Sequence, residues 1–373
     1  MTAVTTAPSL GTLRPPAPRG RLAAGASLVA FAAVLVAGET WAKWWPYAGK
    51  IADVSANHVY PGHSILGAAG APGAAPSWSH AWHFTVVYGR SVWVALVAAL
   101  LIGAGVQALL PPGTFRRAFG PGGVRGALAG TLAALPSFMC TCCAAPVTNS
   151  LRRSGASRSS ALAYWLANPL LNPAVLVFLA LVLPWQFVVT RVLVGSVLVA
   201  GASLLVPRLG PDRLVPVGAG PARRLRRLPL VPPDPAPTDG LAVSRFLRAL
   251  ARLAVVLVPE YLVVVLGVGA LRGWLLPLGH SASSWGFAAV LIAAAAGTVL
   301  VIPTGAEIPV MAALVAAGFT SGVEGAVLIA LPAVSLPSMV MVGRDLSWRV
   351  VGAVAAGVVV CALLGAALLS VLL

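Results

Sequence analysis

The stretch Leu135–Pro173, LPSFMCTCCAAPVTNSLRRSGASRSSALAYWLANPLLNP, decides the fold, and the rest of the chain is read outward from it. It holds three of the four cysteines, three arginines, four prolines and two Asn-Pro steps. Apolar sequence flanks it on both sides, which puts it in or at a membrane. Irregular backbone persists there only where it is buried in protein or lines a polar cavity. The stretch is therefore the first candidate for a site.

Composition agrees with that setting. Of 373 residues, 59% are hydrophobic and only 9% charged, and the mean hydropathy is +0.92. A soluble domain carries about 25% charged residues, so the chain is a polytopic membrane protein. The formal charge of +16, from 25 Lys+Arg against 9 Asp+Glu, would ordinarily raise nucleic acid as a partner. Here the arginines stand at the ends of apolar runs, so they set topology; membrane lipid is the expected partner and nucleic acid is not. Cys361, alone in the last apolar run, reads as core filler. Cys140, Cys142 and Cys143 are too close for a disulfide framework, and no CxxC…HxxxH zinc pattern is present.

Taken in order, residues 1–20 form a disordered cytoplasmic tail by composition. Residues 21–90 supply an N-terminal transmembrane helix ending near Gly38, read as a retained signal anchor, and an external loop rich in Trp and His. His80 and His83 in that loop lack a third ligand and read as solvated. Residues 91–207 and 245–373 form two predominantly apolar units. Between them, 208–244 is a basic cytoplasmic linker with Arg223, Arg224, Arg226 and Arg227. Spans are expected at about 91–110, 159–183, 187–206, 250–275, 325–342 and 350–373, in addition to the N-terminal one. The about fourteen apolar residues before the cysteines reach only about 20 Å into a hydrocarbon core of about 30 Å. That segment is too short to cross.

The interruptions repeat. Pro146 to Gly155 is nine residues and Gly155 to Pro169 fourteen; Pro309 to Gly318 is again nine, and Gly318 to Pro332 fourteen. The second copy lacks four residues between Pro303 and Pro309 relative to Pro136 and Pro146. Paired Gly/Pro-interrupted segments of this kind point to a transporter binding site. Charge then sets the geometry. If 126–150 crossed the bilayer, Arg152, Arg153 and Arg158 would lie opposite Arg116, Arg117 and Arg125, against the positive-inside bias. If it dips in and returns, both clusters are cytoplasmic, and 287–319 becomes a matching hairpin from outside, flanked by His280 and Glu324. Twenty Lys+Arg then lie inside and five outside: Lys43, Lys50, Arg90, Arg191 and Arg272. The expected fold is thus an all-α polytopic membrane protein. It has seven spans and two inverted-topology repeats, each with a re-entrant hairpin, one full span being the extra N-terminal transmembrane helix. The expected location is the bacterial cytoplasmic membrane, with the N-terminus in the cytoplasm.

Hairpin one presents Cys140, Cys142 and Cys143, then Pro146 in the first turn of a return helix whose free N–H groups face the tip. Thiolates suit Cu(I), zinc or other thiophilic centres, which makes Cys140 and Cys142 candidate metal ligands. Asn149 lies on the return helix, and Asn168 and Asn172 precede prolines inside a span, where structural and site-lining roles are both open. Hairpin two has Thr304 and Glu307 in place of the cysteines. An intramembrane carboxylate is a functional hypothesis by default, so Glu307 and Glu260 are the candidates for ion coupling. Cys140, Cys142, Cys143, Asn149, Asn168, Asn172 and Thr304 are the candidate solute-binding set.

The pattern Pro136, Cys140, Cys142, Pro146, then Arg152, Arg153, Gly155, Ala156, Ser157, then Asn168, Pro169, Asn172, Pro173 resembles the predicted permease family that includes bacterial organoarsenical exporters, the ArsP-type permeases. Glu307, Pro309, Gly318, Pro332, Ser335 and Pro337 resemble its second motif, and the likeness runs from about Val92 to the C-terminus. One departure is clear. Where the family has C-S-C-G this chain reads C-T-C-C, so Cys143 either adds a thiol or alters the turn. The resemblance implies a secondary permease and, in one branch, efflux of trivalent organoarsenicals. A small solute or metalloid is then the cargo, with transport rather than catalysis as the activity and no cofactor expected. No GxxxxGK[ST] loop marks an ATP motor in the chain. A membrane thiol-redox protein using the CTCC cysteines, and a non-transporting membrane partner, are the alternatives.

Overall fold

The structure is a computed structural model that describes residues 18–58, 75, 77–110, 112–205, 208, 242–275, 287–316 and 318–373. Most of the expected N-terminal tail, the basic linker with its four arginines, and His280 lie outside the described residues. All regular structure among those described is helical. Six helices are long and apolar enough to cross a membrane, or seven if the bent pair below counts as one span.

The N-terminal helix is longer than its hydropathy implies. Helix α1 (Pro18–Glu39) passes through a π-helical turn (Thr40–Trp44) into α2 (Trp45–Asn57), one continuous rod where a loop is expected after Gly38. Likewise α3 (Trp78–Ala108) begins well before the expected Ser91 and takes in His80 and His83, with Ser77 accepting from the His80 N–H at its N-cap. After α4 (Pro112–Phe119), α5 (Gly123–Ala134) ends in a 3₁₀ turn at Leu135–Ser137, and α6 (Thr141–Arg153) returns. Then come α7 (Arg158–Leu170), α8 (Pro173–Val182), α9 (Trp185–Leu205) and α10 (Ala242–Leu275). Helices α11 (Phe287–Val299) and α12 (Glu307–Ala316) form the second interrupted pair. They are followed by α13 (Ser321–Ala333), α14 (Leu336–Leu346) and α15 (Trp348–Leu372). Helices α13 and α14 meet at a bend of 51°.

The order of elements after α3 recurs after α10: a short pair broken at its tip, a helix broken at proline, then a long helix. Local chemistry explains the breaks. Pro169 and Pro332 sit inside α7 and α13 and remove a helical donor near each end. Three residues later the next helix is restarted by a side-chain cap. Asn172 Oδ1 accepts from the N–H groups of Ala174 and Val175, and Ser335 forms a capping box with Ser338. Gly155 and Gly318, at matching positions, both adopt the left-handed conformation (φ 100° and 71°) that lets the chain turn between helices.

Close approach is also duplicated. A Cβ on Gly130, six residues before Pro136, would lie 2.1 Å from the Ser160 carbonyl and 2.9 Å from Ala163 Cβ. One on Gly297, six before Pro303, would lie 2.8 Å from Ala330 Cβ. Each incoming helix thus packs against its broken neighbour through a residue with no side chain. The main core joins α3, α6, α7, α10 and α13 through α15. A second cluster ties Tyr47 of α2 to Ala174, Val175 and Phe178 of α8 and to Ile308 and Met311 of α12.

Candidate functional site

The break between α5 and α6 is built around Phe138, a non-glycine residue at φ 45°. Such a conformation is disfavoured for a residue with a Cβ and needs support from its surroundings. Asn168 supplies it. Its Oδ1 accepts a hydrogen bond from the Ser137 hydroxyl on one side of Phe138 and from the Met139 N–H at 3.3 Å on the other. Its Nδ2 donates to the Tyr164 carbonyl at 2.8 Å, and the Trp44 indole N–H donates to the Pro136 carbonyl at 2.7 Å. Asn168 therefore shapes the break and has no free polar atom for a solute. Asn168→Leu is expected to cost about 1–2 kcal/mol through the stranded Met139 N–H, read as a lower melting temperature in detergent.

Beyond the break the three cysteines converge. Cys140 occupies the N-cap position of α6. Its Sγ lies 3.0 Å from that of Cys142 and 3.2 Å from that of Cys143. All three are free and buried, and among the described residues they are the one cluster of three or more such ligands close enough to hold an ion. Cys143 lies within α6 and shows no left-handed backbone. Its sulfur lies with those of Cys140 and Cys142. The Tyr88 hydroxyl sits 3.3 Å from Cys142 Sγ, and the Tyr261 hydroxyl donates to the same sulfur at 3.6 Å.

Two cavities meet at Cys140. The larger, about 450 Å³, lies between the N-terminal helix, α3 and the second break; Trp41, Lys43, Tyr47, Lys50, Cys140 and Thr304 are among its walls. The smaller, with room for about one water, lies between the two breaks. Cys140, Thr141, Pro169, Thr304, Glu307 and Ser335 line it. Cys140, Pro303 and Thr304 belong to both. Lys43 Nζ donates to Thr304 Oγ1 at 3.2 Å, and the Tyr47 hydroxyl donates to the Thr304 carbonyl at 3.2 Å.

Of the expected site residues, Cys140 and Thr304 line both cavities and Glu307 the smaller one, while Cys142 and Cys143 complete the thiol cluster. Three others are elsewhere. Asn149 donates to the Met341 carbonyl at 2.9 Å, and Asn172 caps α8. Glu260 pairs with Arg344 at 3.0 Å, and neither cavity includes it. Glu307 is paired too. Arg191 Nη2 donates to Glu307 Oε1 at 2.9 Å and to the Pro169 carbonyl at 2.7 Å, while its Nε donates to the Leu170 carbonyl at 3.2 Å.

Lys43 and Arg191, counted from sequence among outward flanking charges, are thus buried parts of the site. The tyrosines were also missed, although each described one reaches a break. Tyr47 bonds Thr304, Tyr164 bonds Ser137, and Tyr88 and Tyr261 flank Cys142. A tyrosine in an otherwise apolar run was the available signal, because its hydroxyl needs a partner when buried.

A family model described as a predicted permease, of the ArsP type, matches residues 77–371. The chain belongs to this permease family. A relative, the UPF0718 protein YraQ of Escherichia coli (strain K12), is 38% identical over 317 residues, covering 84% of this chain and 86% of that protein. No solved structure matches. Membership makes this a multi-pass membrane permease and points to a transporter rather than an enzyme. The matched region includes the three thiols, Arg191 and Glu307 but not Lys43 and Tyr47, so the helix that completes the larger cavity lies outside residues 77–371.

Proposed function

We propose that this permease moves a small thiophilic solute, such as a trivalent organoarsenical, out of the cell by alternating access. The observation that carries the reading is the convergence of Cys140, Cys142 and Cys143 at the place where the two cavities meet. Thiolates suit a soft centre, and a methylarsenic(III) centre, which keeps its As–C bond, would take two of the three sulfurs; it is the cargo and not a resident cofactor. The recurring helix order supports two repeats of opposite orientation in the cytoplasmic membrane. The α5–α6 and α11–α12 pairs then act as re-entrant hairpins entering from opposite faces, with the N-terminus in the cytoplasm. Glu307, at the second tip and paired with Arg191, is the group through which an ion or proton is coupled.

The test is survival of a sensitive bacterial host on methylarsenite and on copper. Wild-type permease should raise the tolerated concentration of one of them, and Cys140→Ser/Cys142→Ser should remove that protection while leaving membrane levels unchanged. Equal growth of the two strains on both compounds would sink the thiophilic reading. Solute uptake into proteoliposomes separates a permease from a partner protein that does not transport.

A further inference from the structure

The contacts at the two tips are not alike, and the difference follows the repeat. Thr141 and Thr304 each stand five residues before the paired prolines Pro146 and Pro309; Asn172 and Ser335 each stand three after Pro169 and Pro332. Thr141 and Ser335 meet across the copies, Oγ1 to Oγ 3.0 Å. Repeat symmetry calls for the same meeting between their counterparts, Thr304 and Asn172. It is not made. Thr304 is held by the N-terminal helix, its hydroxyl by Lys43 and its carbonyl by Tyr47. Asn172 is only 1% exposed, and while its Oδ1 caps α8, its Nδ2 has no protein partner among the described residues.

A buried amide donor left unmade is costly, and such groups normally have a partner. The two groups share a neighbourhood. Asn172 caps the helix whose Ala174 and Val175 lie in one apolar cluster with Tyr47 and with Ile308 of α12, which begins three residues after Thr304. Two related halves that alternate between conformations exchange their contacts, one half taking up what the other releases. Lys43 belongs to neither half, so it is free to bias that exchange.

We infer that Lys43 is a positioning residue that holds the permease in one of two exchangeable arrangements. In the arrangement seen here Thr141 bonds Ser335 and Lys43 holds Thr304. In the opposite one Thr304 is released to the Asn172 amide and the Thr141–Ser335 contact parts. The inference rests on the alternating-access reading above and adds to it the pair of contacts that exchange and the residue that sets their balance.

Side-specific labelling of Cys140 tests it without knowledge of the solute. A membrane-impermeant maleimide is applied to right-side-out and inside-out vesicles holding the full chain, and labelling is located by peptide mass. In the wild type Cys140 should be labelled from the face to which the larger cavity opens. Lys43→Met should lower that rate, relative to the opposite face, about tenfold, the size expected when one charge-assisted hydrogen bond distinguishes two states. Lys43→Arg should keep the wild-type pattern. Adding Asn172→Ala to Lys43→Met should restore the original face, while Asn172→Ala alone leaves it unchanged. If Lys43→Met does not fold, Thr141→Val weakens the same arrangement from the other tip and should shift labelling in the same direction. An unchanged face preference in both variants overturns the inference, as does a shift that Asn172→Ala fails to reverse. A shift that behaves as stated in a chain that transports nothing in proteoliposomes would count against the permease mechanism and not against the exchange of contacts.

Discussion

Arg191→Met is expected to leave little folded permease, seen as loss of the monodisperse peak on fluorescence-detected size exclusion and a collapse of the melting temperature. Arg191 is fully buried and joins three structural units. From α9 it reaches Glu307 at the second break and the Pro169 and Leu170 carbonyls where α7 ends. Those carbonyls lie where Pro173 and the start of a new helix deny them their usual donors, so the guanidinium does for α7 what a following turn would otherwise do. Removing it strands a carboxylate and two carbonyls away from water. Breaking one side of a buried ion pair costs about 3–5 kcal/mol, a large share of the about 5–15 kcal/mol that stabilises a typical protein. Arg191→Met/Glu307→Leu should recover part of the folded material, because no charge is left buried alone. Arg191→Lys should fall between, since an ammonium keeps the charge but cannot span the carboxylate and both carbonyls. Wild-type behaviour of Arg191→Met would remove this account of the second break.

Gly325→Val should be nearly as damaging for a different reason. A Cβ at Gly325 would lie 2.3 Å from the Gly365 carbonyl oxygen and 2.9 Å from Ala366 Cα. All the atoms it meets are backbone, so no rotamer change relieves the clash, and α13 and α15 must separate. Overpacking costs about 1–3 kcal/mol, and a β-branched side chain against backbone belongs at the upper end. Gly201→Ala is the matched control. It is helical, and its added Cβ meets nothing within 4 Å, so it should hold or slightly raise the melting temperature through helix propensity. Equal effects of the two substitutions would show that helix contact is not what Gly325 provides.

Much of the architecture was legible because proline, glycine and cysteine are informative in an oily sequence. The spacing of Pro146, Gly155 and Pro169 against Pro309, Gly318 and Pro332 marked both interrupted segments, whereas 159–183 and 325–342 read as single spans and prove to be broken after Pro169 and Pro332 and restarted by caps at Asn172 and Ser335. The N-terminal helix was harder. Residues 39–57 carry Glu39, Lys43, Lys50 and Asp53, which lower the local hydropathy to that of a loop, yet Glu39 and Lys43 are buried against other helices. Hydropathy scores a side chain against solvent and cannot see a partner distant in sequence. Lys43 finds Thr304 261 positions away. Charge counting failed at Arg191 for the same reason: a tally of flanking arginines assumes that each faces water or headgroups. The thiol cluster was legible as three residues but not as a shape, since only the turn at Phe138 and the helix from Thr141 bring three sulfurs to one point.

The position of Cys140 has a further consequence. Helices α7, α8 and α14 each begin with an oxygen from Ser157, Asn172 or Ser335 closing the first turn, whereas at α6 the N-cap residue is Cys140, whose side chain makes no cap hydrogen bond. The opening turn of α6 is therefore held without the side-chain cap that the other three helices have, and a ligand on the Cys140 sulfur would break no cap in binding there.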